Sequence, residues 1–185
     1  MATYQPYLDF TAQSKTVSTL MSLYAQFESK NNTETEFTTI IVFTAFVVKA
    51  YLNSIGSREI AFWEELERLP WKQKIEILHK NAEVNPDWGQ EPLQFANEVF
   101  RLRDKLAHGK PERVEGPIFP TMEAAGDYQN SSQIQPDWYR GMTKEWAISA
   151  KDRFRALMIY LGKLYKLHES DYLHSASGGI RPIDA

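Results

Sequence analysis

The sequence predicts an all-α fold, a helical bundle of about five to six helices with an irregular insertion between the last two long ones. Three observations carry this. Apolar residues recur at intervals of three and four through most of the chain, Gly and Pro punctuate the gaps between those segments, and no strand pattern runs longer than a few residues. No internal repeat interrupts the reading.

The first helix spans about Ala12 to Ser29, where Val17, Leu20, Met21, Tyr24 and Phe27 share a face, and Asn31 and Asn32 break it. Thr33 and Glu36 have the spacing of a capping box: the Thr side chain accepts from a backbone N–H that the helix cannot satisfy, and the Glu reaches back. The helix they start should run to about Ile55, with Gly56 as its stop. It is apolar on nearly all sides and is therefore expected at the centre. Glu59 to Leu69 reads as a short helix, and Pro70 opens another through Ile75, Ile77 and Leu78. Asn85, Pro86, Asp87 and Gly89 form a turn. Pro92 then begins a helix that ends near His108, punctuated by Gly109 and Pro111. From about Lys110 to Met142 there is no sustained period, and a short hairpin is the structure that segment could hold. Thr143 caps a final long helix with Trp146, Ala150, Phe154, Leu157, Met158, Leu161, Leu164, Tyr165 and Leu167 along one side. The chain is expected to be one domain over residues 1–174, with a loose tail over 175–185.

The 185 residues, 43% of them apolar, suffice for one core. A net charge of −3 argues against a surface that is basic throughout, so a nucleic-acid partner would need a local patch. Having no cysteine, the chain can hold neither disulfides, zinc-thiolate sites nor thiol nucleophiles. Met1 to Phe10 lacks the pattern of a secretion signal, which points to the cytoplasm. Phe37 to Val48 is an apolar run shorter than the ~20 residues of a bilayer span, so it is expected to be a core helix, and no membrane partner is expected.

Chemistry concentrates in the helix that Pro92 begins. On a helical wheel Leu93, Ala96, Val99, Phe100, Leu106 and Ala107 form one apolar arc, and Arg103 falls in its middle. A guanidinium does not lose its charge at ordinary pH, so a carboxylate, an interface or an anionic ligand must draw it there. Asp104 and His108, four residues apart, are neighbours at the edge of the arc. A carboxylate beside an imidazole can orient it and bring it into the working range of a general acid or base. Between Arg101 and Arg113 five basic residues (Arg101, Arg103, Lys105, Lys110, Arg113) face two acids (Asp104, Glu112), a net of +3. Against this, a histidine in a last turn also interacts well with the helix C-terminus, and an interface salt bridge would satisfy the arginine.

The segment Arg103-Asp104-Lys105-Leu106-Ala107-His108-Gly109-Lys110 resembles the signature of the HEPN superfamily: an arginine, a polar residue, then a histidine after four to six intervening positions. Lys49-Ala50-Tyr51-Leu52-Asn53 is similar to the Glu-Ala-x-x-Asn ending of early helices in such domains, with Lys where Glu is commoner. Residues 36–172 carry the resemblance, with about 110–142 as an insertion. It implies RNA cleavage with neither metal nor cofactor, or RNA binding, in a toxin, defence or stress system. His108 would move protons, Arg103 would stabilise charge on the phosphate, and Asp104, where Asn is frequent, would orient one of them. Arg101, Lys105, Lys110 and Arg113 would hold the RNA. The resemblance also implies a homodimer paired through the Arg103 and His108 face. Many such domains are instead binding modules or antitoxin partners, so a non-catalytic dimerisation or partner-binding module is the alternative. An enzyme acting on a small phosphorylated molecule would use the same patch.

Elsewhere the signals are weak. His79, His168 and His174 have no partner at metal-ligand spacing and are expected at the surface, and the five tryptophans are expected mostly in the core. Trp88 and Trp138, beside Pro and Asp, are the two that could face a partner.

Overall fold

The computed structural model describes residues 3–29, 34–131, 133–174 and 176–183. The described elements are β1 (Thr3–Phe10), α1 (Gln13–Ser29), α2 (Glu34–Glu59), α3 (Trp63–Leu66), α4 (Trp71–Asn81), α5 (Leu93–His108), α6 (Met122–Asn130), α7 (Asp137–Arg140), α8 (Lys144–Lys163), a 3-10 turn (Asp171–Leu173) and β2 (Ala176–Ile183). The fold is mainly helical, with one small sheet. Thr33 lies outside the described residues, and with it the expected capping box.

α2 is the central helix, packing against α1, α5, α8 and α4. Its Ile40, Ile41, Val47, Val48, Leu52 and Ile55 are fully enclosed. By length and composition Phe37–Glu59 could cross a membrane, yet 56% of its most apolar window is buried inside the protein, as a core helix requires. α5 contributes Leu93, Phe95, Ala96, Val99 and Phe100 to the same core, and α8 contributes Ala150, Phe154, Leu157, Met158 and Leu161. Thr143 caps α8 as expected, its side chain accepting from the Trp146 N–H at 3.2 Å. Gly109 ends α5 in the left-handed conformation, φ 52°.

Four expectations need correction. Gly56 does not stop the second helix, which continues to Glu59. Its role is close approach: a Cβ there would lie 2.1 Å from the Trp63 indole. The helix expected over Glu59 to Leu69 shrinks to the single turn of α3. The insertion holds no hairpin but two helices, α6 and α7. Finally, the segment taken for a loose tail is largely β2, which pairs antiparallel with β1 from Thr3 opposite Ile183 to Phe10 opposite Ala176. No strand is expected from the sequence at either end of the chain. This ribbon exposes Tyr4, Tyr7, Leu8, Ile180 and Ile183, and none of its described side chains is buried, so they show no buried face to impose apolar alternation.

Candidate functional site

α5 places the charged residues of Arg101 to His108 on two different faces. At 100° per residue, His108 stands about 140° around the helix from Arg103. Arg101, Asp104, Lys105 and His108 line a cleft of about 570 Å³, which Lys110 and Glu112 of the following loop extend. Its far wall is the insertion: Trp138 of α7 and Pro136 before it. The cleft is therefore built by the motif helix on one side and the insertion on the other. Arg113 and Arg103 are not among its lining residues.

Glu112 joins the two walls. Its Oε2 accepts from Lys105 Nζ at 2.9 Å and from Trp138 Nε1 at 3.2 Å. The Lys105 hydrogen bond, with the lysine charge and the indole hydrogen bond behind it, holds the Glu112 carboxyl below its ordinary range. Lys105 is thus engaged, while Arg101 and Lys110 have no carboxylate partner among the described ion pairs. Asp104 pairs with Arg103 Nη1 at 3.0 Å rather than with His108. His108 itself is exposed.

Arg103 is drawn to the apolar arc by two groups: Asp104, and the Phe100 ring, whose centroid lies 5.4 Å from the guanidinium carbon. The arc thins toward the C-terminus of α5, where Leu106 is half-buried and Ala107 exposed, so the arginine keeps 28% of its side chain accessible. Its Nε is buried without a hydrogen-bond partner. The Asp104 carboxylate therefore satisfies part of this residue, and an interface or a ligand remains open for the part that is accessible.

The Lys49 to Asn53 segment serves packing. Asn53 Oδ1 accepts from Lys74 Nζ at 2.5 Å, and the Glu67 carbonyl accepts from the same ammonium. Burial, reinforced by the nearby charge of Lys49, pushes Lys74 below its usual value. His79 is not at the surface but fully buried between α4 and α8. Its Nδ1 donates to the Ile75 carbonyl at 2.7 Å, which leaves Nε2 to accept from the Tyr160 hydroxyl at 2.7 Å. Trp88 packs edge-on against Trp71 beneath Lys72, and so is bound into the fold.

Sequence reasoning did not find Glu112 as the link across the cleft. The only signals were its place in the basic run and a tryptophan in a Pro-rich loop. Comparison with family models, with curated proteins and with solved structures finds no match to this chain.

Proposed function

We propose that this chain is a HEPN-like endoribonuclease, acting on RNA without a metal, as a homodimer paired through the Arg103 face of α5, in a toxin, defence or stress setting. The observation that carries the reading is the cleft itself: an exposed histidine beside two unpaired cations, Arg101 and Lys110, with an indole in the opposite wall. Cations hold the strand's phosphates, and an aromatic side chain offers a face to an unstacked base.

In the reaction, the ribose 2′-oxygen forms a bond to the adjacent phosphorus while the bond to the 5′-oxygen breaks. The 2′-proton is lost to a base, and a proton goes to the leaving oxygen. His108 is the group placed to handle either proton. Charge on the phosphate would be met by Arg101 and Lys110 within the cleft. The share of the Arg103 side chain that stays accessible at the end of the apolar arc, 28%, supports an interface at that face.

Cleavage of a mixed RNA pool without added metal tests this. The expected result is cyclic-phosphate ends from the wild type and a rate lower by about 10²–10⁴ in His108→Ala. Equal cleavage by His108→Ala, or none by the wild type, overturns the catalytic reading. The alternative is a non-catalytic module that dimerises or holds a protein partner, such as an antitoxin. It is favoured by one observation, the pairing of Asp104 with Arg103 instead of His108. Loss of the dimer in Arg103→Ala, with no cleavage by any form, would select it.

A further inference from the structure

Pairing of β1 with β2 sorts the residues of the ribbon by face. Successive residues of a strand point to opposite faces, and directly opposed residues of two strands share one. The register therefore puts Tyr4, Pro6 and Leu8 on one face with Pro182, Ile180 and Gly178, and Thr3, Gln5 and Tyr7 on the other with Ile183, Arg181 and Gly179. The contacts agree: a Cβ at Gly178 would lie 3.1 Å from Leu8 Cδ1, and one at Gly179 would lie 3.0 Å from the Tyr7 hydroxyl. The first six residues carry no charge, and the Tyr4 hydroxyl is their one polar side-chain atom. The second face holds the described side-chain hydrogen bonds of the ribbon. Thr3 Oγ1 donates to the Ile183 carbonyl at 3.1 Å, and Arg181 donates twice to Gln5 Oε1, at 3.3 and 2.9 Å.

The apolar face is also the more open one. Tyr4, Leu8 and Ile180 are 66%, 67% and 72% exposed, against 47% and 45% for Tyr7 and Ile183 on the polar face. Pro6, Gly178 and Pro182 are exposed with them. A lone two-stranded ribbon is marginal in water and gains stability once an apolar face is covered. Nothing described in this fold covers it.

The edges of the ribbon are poor docking sites. In an antiparallel ladder one set of opposed pairs turns its backbone N–H groups inward and the alternate set turns them outward. Pro6 and Pro182 stand in pairs of the same set, opposite Ile180 and Tyr4, and the ladder runs unbroken through both. Since proline has no N–H to give, their nitrogens face the two outer edges, and a strand added at either edge would meet a missing donor. Docking is left to the flat apolar face.

We propose that this face packs against the same face of a second copy of the chain, two ribbons forming a four-stranded sandwich about a two-fold axis. A two-fold contact sets a patch against itself, so any charge on it would meet its like. An uncharged face meets that requirement. A lipid surface fits less well: interfacial segments present lysine or arginine to anionic headgroups, whereas Arg181 is bonded to Gln5 on the opposite face of a chain of net −3. Eight residues at about 3.4 Å each, in two strands about 4.8 Å apart, give a face of roughly 27 by 10 Å. Two copies would then bury on the order of 500 Å², less than the ~1,200 Å² of stable complexes, so the association is weak and rises with concentration. It is separate from the Arg103 face of α5, which lies on another element.

The test uses the full chain with Arg103→Ala, which removes the other proposed interface. Having no cysteine, the chain takes a single nitroxide at Thr3→Cys. Unlabelled-isotope protein carrying the nitroxide is mixed with ¹⁵N-labelled protein up to millimolar concentration. Relaxation enhancement should appear in the ¹⁵N copy at amides of Tyr4 to Leu8 and Gly178 to Ile183, and grow with concentration. Leu8→Lys and Leu8→Glu should each weaken association about tenfold or more, because like charges then face each other across the axis. An equal mixture of those two variants should associate more tightly than either alone. Ile180→Lys repeats the test from the other strand, and unchanged helix amide signals confirm that each variant is folded. No enhancement between copies overturns the proposal, as does undiminished association in Leu8→Lys and Ile180→Lys, or a mixture no tighter than its components. Broadening of the ribbon signals by neutral phosphatidylcholine vesicles, without enhancement between copies, assigns the face to lipid and overturns it too. None of these outcomes depends on RNA cleavage or on the Arg103 dimer.

Discussion

Gly56 shows how one residue type can be read for the wrong property. In a helical sequence a glycine after a long apolar run is a natural stop, because it alone adopts the left-handed conformation cheaply. Here the helix passes through it, and what matters is the missing side chain against which Trp63 packs. Distinguishing the two from sequence would require knowing that α3 folds back onto α2. Gly56→Ala would gain up to about 1 kcal/mol of helix propensity, but overpacking against a ring 2.1 Å away costs about 1–3 kcal/mol. The expected outcome is a net loss of about 1–2 kcal/mol in urea unfolding. Stability equal to or above the wild type would mean that Trp63 is not held there. Arg103, by contrast, was legible: its place in the apolar arc demanded partners, and Asp104 and Phe100 supply two of them.

Among the elements, those that bury a face were readable and those that do not were missed. α1, α4, α5 and α8 all show the spacing of their buried side chains. α6 has no buried residue, so no apolar period marks it, and only the Thr121 cap on the Ala124 N–H betrays its start. The pairing of α4 with α8 carries a consequence for pH. His79 is buried and pushed below its ordinary 6.5 chiefly by desolvation, partly offset by its hydrogen bond to the Ile75 carbonyl. A depressed histidine favours the folded state while it is neutral. Below about pH 6.5 the unfolded chain takes up a proton that the folded chain refuses, so stability is full above that pH and declines as pH falls toward the folded value. The melting temperature should therefore drop between about pH 7.5 and 5.5, and His79→Gln should flatten that drop while lowering stability at the upper end. An unchanged slope in the variant would assign the titration to other groups. Asp171 belongs to a lower window: burial alone would raise its carboxyl, but the Arg58 and Tyr51 hydrogen bonds and the Arg58 charge outweigh it and hold the group below its ordinary value.

For the whole molecule, the charge distribution and the chain ends follow different logics. The pairing of β1 with β2 joins segments some 170 residues apart and buries none of its described side chains, so no local pattern could announce it. The charge distribution was visible in the sequence, a net of +3 from Arg101 to Arg113 within a chain of net −3. Folding alters how much of that charge is free, because Glu112 engages Lys105, Asp104 engages Arg103, and Arg113 stands outside the cleft. Two cations, Arg101 and Lys110, then remain to meet phosphates there. Single-stranded nucleic acid loses affinity with salt at a slope of about −0.7 per phosphate neutralised, so the wild type should show about −1.4 in a plot of log affinity against log salt. Lys110→Ala should bring that to about −0.7, and Glu112→Gln, which frees Lys105, should steepen it to about −2.1. Filter binding of a short single-stranded RNA across a salt series reads all three slopes. A steep wild-type slope that Glu112→Gln leaves unchanged would mean that Lys105 already contacts phosphate and that the strand displaces Glu112. A slope near zero in every form would remove RNA from the cleft and leave the Arg103 face as an interface between proteins.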